Sequence, residues 1–432
     1  MAVTALGTFA LAAPPAHAEE IAVPCDSTAL VQAVAAATAT PEPDTLSLTP
    51  NCVYTLTAPA DVTSNTGLPI IRGKLTLNGN HATIGRAKDA PPFRIMSNQG
   101  ELDIKGLTIT GGHASDGVGT DAYGDGKAGE AGGGIHNWGS LTITGSVITG
   151  NTSGSGAPGA DATATSSAGR GGGGGFGGGI ASYISAEATL TITDSLITGN
   201  ATGAGGRGGN GTGAKPGGRG GSGGFGAGID VLRGTFLRLS GSTVTGNVAG
   251  DGGKGGDGGA ERGGGGDGGS GGTGAGVMTS ADAGKPLNPV IAGTEITGNQ
   301  AGRGGDAGVA GPGGYSGYAG FGGSGGGLSV FHDTLTFDGG AVSDNAAGEP
   351  GSGSFPLPAS GGGIYTLDGH VTLANGAVVS GNRPDNCHDV AEVPGCVNDF
   401  RVAVARHSGA ADALAVAEQA VVSAISVESS RE

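Results

Sequence analysis

Residues Gly132–Asn151 read GGGIHNWGSLTITGSVITGN, and this stretch decides the fold. A glycine run enters Ile135, Leu141-Thr142-Ile143 alternates apolar and polar, and Ile148-Thr149-Gly150-Asn151 closes the unit. A period of two sends successive side chains to opposite faces of a strand. Leu141, Ile143 and Ile148 therefore share one face, and Thr142, Thr144 and Thr149 the other. The pattern returns at Ile180–Asn200, Ile229–Asn247, Val277–Asn299, Leu328–Asn345 and Ile364–Asn382, after a full unit at 93–112 and an incomplete one beginning at Leu75. Three short strands per unit of roughly 20 residues predict an all-β chain, a right-handed parallel β-helix of about eight coils.

Asn151, Asn200, Asn247, Asn299, Asn345 and Asn382 then fall at one corner of successive coils. Asparagine tolerates left-handed dihedrals, and its amide can bond to the coils above and below, so this column is read as structural. Between the asparagines and the following coils lie glycine-rich inserts at 113–134, 152–179, 201–228, 248–276, 300–327 and 346–363. The four central ones hold 28 or 29 residues while their sequences differ widely. Loop-closure cost changes slowly with length, so a flexible linker has no reason to keep its size. Runs such as GGKGGDGG carry a three-residue beat suited to extended threefold helices. The inserts are thus expected to leave one corner as arms packed in a polyglycine-II-like slab; disorder is the competing reading that such composition permits. Basic insert 201–228 would attract acidic insert 248–276.

Composition supports this architecture and excludes others. Of 432 residues 98 are glycine, 4% are aromatic and 13% charged, too few large apolar side chains for a helical or doubly wound core. The net charge of −16 argues against nucleic-acid partners, because phosphate backbones would be repelled. Residues 1–18 end in Ala16-His17-Ala18 and resemble a secretory signal without its basic start, which predicts an extracellular or cell-surface location. Four cysteines allow three pairings; proximity favours Cys25 with Cys52 and Cys387 with Cys396. Residues 19–66, with a short helix capped by Asp26 or Ser27, are read as an N-terminal cap. The β-helix occupies 67–386, and 387–432 form a C-terminal cap and tail with helical propensity from Ser408. No apolar run is long enough to span a membrane.

The pairing of GGGI at Gly132–Ile135, Gly177–Ile180 and Gly361–Ile364 with IxxN at Ile148–Asn151, Ile197–Asn200 and Ile296–Asn299 resembles polymorphic outer membrane protein repeats. The chain as a whole resembles secreted pectin-lyase-like β-helix proteins over about residues 75–386, and its inserts resemble PGRS-type domains of cell-surface proteins. Polymorphic outer membrane proteins resemble autotransporters, which end in a membrane barrel. The 50 residues after Asn382 are too few for eight strands of roughly 10 residues, so self-export is not expected.

The pectin-lyase-like resemblance implies acidic-polysaccharide chemistry from carboxylates and bases that converge on adjacent coils. Charges on the coils are scattered, and His332-Asp333 is the one local catalytic candidate, against the plainer reading of an exposed strand end. Asp116, Asp121 and Asp125, with Glu130, make a candidate calcium loop whose spacing fits neither the EF-hand nor the β-roll nonapeptide; a solvated acidic loop is the alternative. Trp138, Tyr183, Leu232 and Phe331 take equivalent positions, as an aromatic strip for sugar rings or as packing beneath the arms. The sequence reading is an exported, monomeric, non-catalytic β-helix surface or matrix protein that needs no cofactor. Its partners would be extracellular polysaccharide or cell-surface components. The alternative is a carbohydrate-active lyase or hydrolase.

Overall fold

Ile135, Leu141, Ile143 and Ile148 all point into the rod and are fully buried in the computed structural model, which describes residues 20–39, 42–183 and 188–398. Residues 1–18 and the tail from Ser408 lie outside the described residues. The opening stretch forms the strands Ile135–Asn137, Ser140–Thr144 and Val147–Thr149, one on each face of a coil. Leu141 lies in register between Leu102 and Leu190, and Ile148 between Ile109 and Ile197. The chain is a parallel β-helix: two faces belong to a 17-stranded sheet and the third is a separate seven-stranded sheet. Stacking like on like gives a continuous column of Ile, Leu and Val, each side chain contributing about 1.5–3 kcal/mol when fully buried.

The rod starts earlier than the repeat beginning at Leu75. Asp44–Leu48 pairs with Lys74–Asn78, and Val53–Leu56 with Thr83–Arg86, so part of the segment read as a cap continues two faces. Glu20–Val23 adds a final strand, and the helix Ser27–Ala37 buries Leu30, Val34 and Ala37 over it. Asp26 caps that helix by accepting the Ala29 N–H at 2.8 Å. Disulfides join Cys25 to Cys52 and Cys387 to Cys396, at opposite ends of the solenoid.

The asparagine column is a continuous buried ladder. From Asn200 onward, each Oδ1 accepts both the backbone N–H and the Nδ2–H of the preceding asparagine, as Asn247 does from Asn200, at 3.0 Å for both; Asn151 Oδ1 accepts the Gly112 N–H. Its own Nδ2 donates onward to Asn299 and back to Ile197 O. The left-handed backbone expected at these asparagines belongs instead to the residue before each, Gly150, Gly199, Gly246, Gly298, Asp344 and Gly381. Asparagine is needed for its paired donor and acceptor, and glycine for the corner.

The inserts form a two-layered slab. On one outgoing limb, Gly205 and Gly208 donate to Asp251 and Lys254 of the next, parallel limb. Gly206 and Gly209 donate to Gly172 and Gly169 of the preceding return limb, which runs antiparallel. Gly221, on the return, donates to Gly206. Bonding in three directions with a three-residue repeat is the packing of polyglycine-II-type helices. This geometry explains the G-G-X beat. A Cβ on Gly205 would lie 2.0 Å from Gly221 O, and one on Gly206 1.9 Å from Ala157 O, while Ala204 and Arg207 face outward. The composition that permits disorder is here a packing requirement.

Candidate functional site

The slab lies over the outer face of the seven-stranded sheet. Phe176 and Phe225 of two return limbs, stacked with ring centroids 5.2 Å apart, pack in one apolar cluster with Ala181, Tyr183, Leu232, Met278, Phe331 and Tyr365 of the coils. Tyr183, Leu232 and Phe331 of the expected aromatic strip are therefore packing beneath the arms. Trp138, half-buried, is the member left at the open end, 5.7 Å from the Tyr183 ring.

A cleft of about 470 Å³ opens there, lined by Ser64, Arg94, Ser97, Gln99, Glu130, His136 and Trp138. Three parts of the molecule meet in it: the loop carrying Ser64, the first coils, and the first arm carrying Glu130. Arg94 precedes the strand Met96–Asn98, and its side chain is 7% exposed. It donates to Glu130 Oε2 at 2.7 Å and to Ser64 O at 3.0 Å, tying coil, arm and loop together. His136 Nδ1 accepts the Trp138 indole N–H at 3.4 Å, which places the imidazole proton on Nε2. Burial, with a further contribution from the Arg94 cation, holds the His136 pKa well below the usual imidazole range. His136 is therefore neutral at pH 7.

A second cleft, of about 750 Å³, gathers His332, Asp333, Asp368, His370, His388, Asp389 and Glu392 at the opposite end of the rod. His332 occupies a left-handed corner, with its Nδ1 3.7 Å from Asp368 Oδ2; His370 Nδ1 lies 3.5 Å from Glu392 Oε2. His332-Asp333 is not the exposed strand end of the sequence reading. Asp333 is buried, and its Oδ1 accepts the N–H groups of Leu287, Asn288 and Thr334, holding the loop before Pro289 against the rod. Burial raises its pKa, and those three N–H bonds oppose the rise.

The calcium candidates have backbone partners. Asp116 Oδ1 accepts the Ser155 N–H at 2.6 Å, Asp125 Oδ1 the Arg170 N–H at 2.7 Å, and Asp121 Oδ1 the N–H groups of Tyr123 and Asp125. The first two belong to a slab-wide device. At outward positions, Asp251, Asp257, Asp267 and Asp306 likewise accept the N–H of Arg303, Val309, Tyr318 and Ser352 on the next arm. Asp306 is held below the usual carboxylate range chiefly by the Ser352 bond, and Asp257 chiefly by Lys254. Much of the slab's acidity thus caps outward amides. No group of three or more His, Cys, Asp or Glu among the described residues is placed to hold a metal ion. The expected attraction between inserts 201–228 and 248–276 is seen at Arg219 with Asp267 and at Arg207 with Asp257, and Arg207 also lies 3.6 Å from Asp161 of the preceding arm.

Of the Trp138 cleft, sequence reasoning singled out Trp138 and placed Glu130 in the acidic loop. Arg94, Ser64 and Gln99 carried no signal, since Arg94 and Glu130 are 36 residues apart and meet only because an arm folds back. No family model matches the chain, and no curated protein matches its sequence.

Proposed function

We propose that this protein is an exported, non-catalytic β-helix that acts as a surface or matrix interaction protein, adhesin-like in role. The observation that carries the reading is the slab. Six inserts are built into an ordered second layer that covers one coil face and leaves a cleft at Trp138, a place where a partner could be held. Charged groups near that cleft and on the first arm are engaged in holding parts together: Glu130 by Arg94, and Asp116 and Asp125 by backbone amides. Two disulfides suit an oxidising compartment, and no helix among the described residues is long and apolar enough to cross a membrane.

Incubation with polyuronides and neutral glycans should give retention on immobilised polysaccharide or matrix, with neither unsaturated products nor new reducing ends. Reproducible turnover that disappears when a coil carboxylate is changed reverses the reading. The alternative, a polysaccharide lyase or glycoside hydrolase, is favoured by one observation, the convergence of three histidines and four acids in the second cleft. Turnover abolished by His370→Ala would place the chemistry there.

A further inference from the structure

We infer that the Trp138 cleft binds one or two rings of a neutral saccharide, with Trp138 as the stacking platform and Glu130 as the hydroxyl acceptor. This deepens the interaction reading and rests on it. Three observations support it. Trp138 is the one aromatic side chain of the apolar strip that the arms leave partly open, and its indole N–H is already oriented by His136, so its ring is held in place. An aromatic face suits the C–H face of a sugar ring, which is apolar while its edges are polar. The volume, about 470 Å³, is in the range of small-ligand sites rather than of an open polymer groove.

The polar groups around that ring select the ligand. Arg94 is neutralised by Glu130 at 2.7 Å, and its other terminal nitrogen holds Ser64 O. The Glu130 side chain remains about half exposed and turns a carboxylate toward solvent, and the exposed Gln99 side chain adds an amide with both donor and acceptor. Neutral His136 brings no cation. A uronate would meet the Glu130 carboxylate and a chain of net charge −16, with no uncommitted guanidinium to receive it. Sugar hydroxyls meet no such penalty: they donate to the carboxylate and accept from the amide, both bonds that are stronger for being partly shielded from water.

Trp138 is the only tryptophan in the sequence, so indole fluorescence reports on this cleft alone. Titration of the whole protein with cellohexaose, laminarihexaose, mannohexaose and chitohexaose should give a saturable emission change with at least one of them, and hexagalacturonate should give none. Glu130→Gln should weaken binding about tenfold, the scale of one charge-assisted hydrogen bond, with the thermal midpoint checked to show that the fold persists. Trp138→Ala, followed by calorimetry, should abolish it. The inference is overturned if none of the neutral hexasaccharides binds, if hexagalacturonate binds as well as they do, or if Glu130→Gln leaves affinity unchanged. Retention of Trp138→Ala on immobilised polysaccharide at wild-type level would remove this site and leave the interaction reading standing; loss of all retention by the wild type would remove both.

Discussion

Pro350 occupies in the last arm the place that Gly304 holds in the arm before it, the fifth residue past a ladder asparagine. Gly304 donates its N–H to Glu349 O at 2.8 Å, as Gly156, Gly205 and Gly252 do to Ala204, Asp251 and Arg303. No further glycine arm follows, and proline has no N–H to leave unpaired. Pro358 does the same in the return layer: the bonds from Gly274 to Ser324 and from Gly325 to Ser360 place it one arm beyond Gly322. Asp385 Oδ1 takes the next two amides, Gly361 and Gly362. At these four positions the slab ends as protected sheets end, with an outward donor removed or capped.

Restoring those donors should open the edge. The double substitution Pro350→Gly, Pro358→Gly is expected to convert a single species into concentration-dependent oligomers. Sedimentation velocity over a range of concentrations checks this, and an unchanged distribution would show that the prolines guard nothing.

Side-chain bulk inside the slab should be costly, and outside it neutral. Gly206→Ala puts a methyl group 1.9 Å from Ala157 O, against backbone that cannot yield cheaply, and should destabilise by about 1–3 kcal/mol. Ala204→Ser, two residues away on the outward face, should stay within about 0.5 kcal/mol of the wild type. Chemical denaturation of the pair measures the contrast; equal midpoints would contradict the packed slab.

In the middle of the ladder, Asn247→Ala removes the acceptor for two Asn200 donors and the donor to Asn299 and Ile197. Each buried group left unpaired costs about 1–3 kcal/mol, so this exchange should rank among the most damaging single changes in the rod. At a pH where the acid is protonated, Asn247→Asp keeps the acceptor and offers one O–H donor in place of the amide's two N–H groups, and should be intermediate. Unfolding midpoints for the two variants test the order.

His136 should make the fold acid-sensitive. Its folded pKa is depressed by burial and by Arg94, so the unfolded chain binds the proton more readily. The stability it contributes is present above the ordinary value near 6.5 and is lost as pH falls toward the depressed folded value. Below pH 6.5, His136→Gln should therefore lose stability less steeply than the wild type. Parallel slopes for the two proteins between pH 6.5 and 5 would refute the assignment.

The coil was legible because its code is local. Ile135, Leu141, Ile143 and Ile148 declare their inward face through a period of two, and Asn151 recurs at a corner in coil after coil. The constant length of the inserts pointed to order, and their three-residue beat to its geometry. Other features were not legible. The ladder asparagines pass the left-handed corner to the preceding residue, a division of labour that only backbone angles reveal. Ser146, Ser195 and Ser242 form a second buried ladder, each Oγ accepting an N–H from the coil before, yet serine at a turn has many innocent explanations.

Sequence by itself determined the solenoid, its inward column and the recurring asparagine corner, because each depends on neighbours along the chain or on strict repetition. Tertiary structure decided which backbone amides the acids hold and where the coil face stays open. Asp116 and Asp125 each hold an amide of the next arm, that of Ser155 and that of Arg170, contacts that no spacing along the chain announces. Asp333 is a buried anchor for the loop at Leu287 and Asn288 rather than part of an exposed strand end. Trp138 became the mouth of a cleft only when Phe176 and Phe225, on separate arms, covered the rest of its strip. Contacts of this kind join residues tens of positions apart through arms whose own sequences are nearly all glycine, and glycine carries no side chain to announce them.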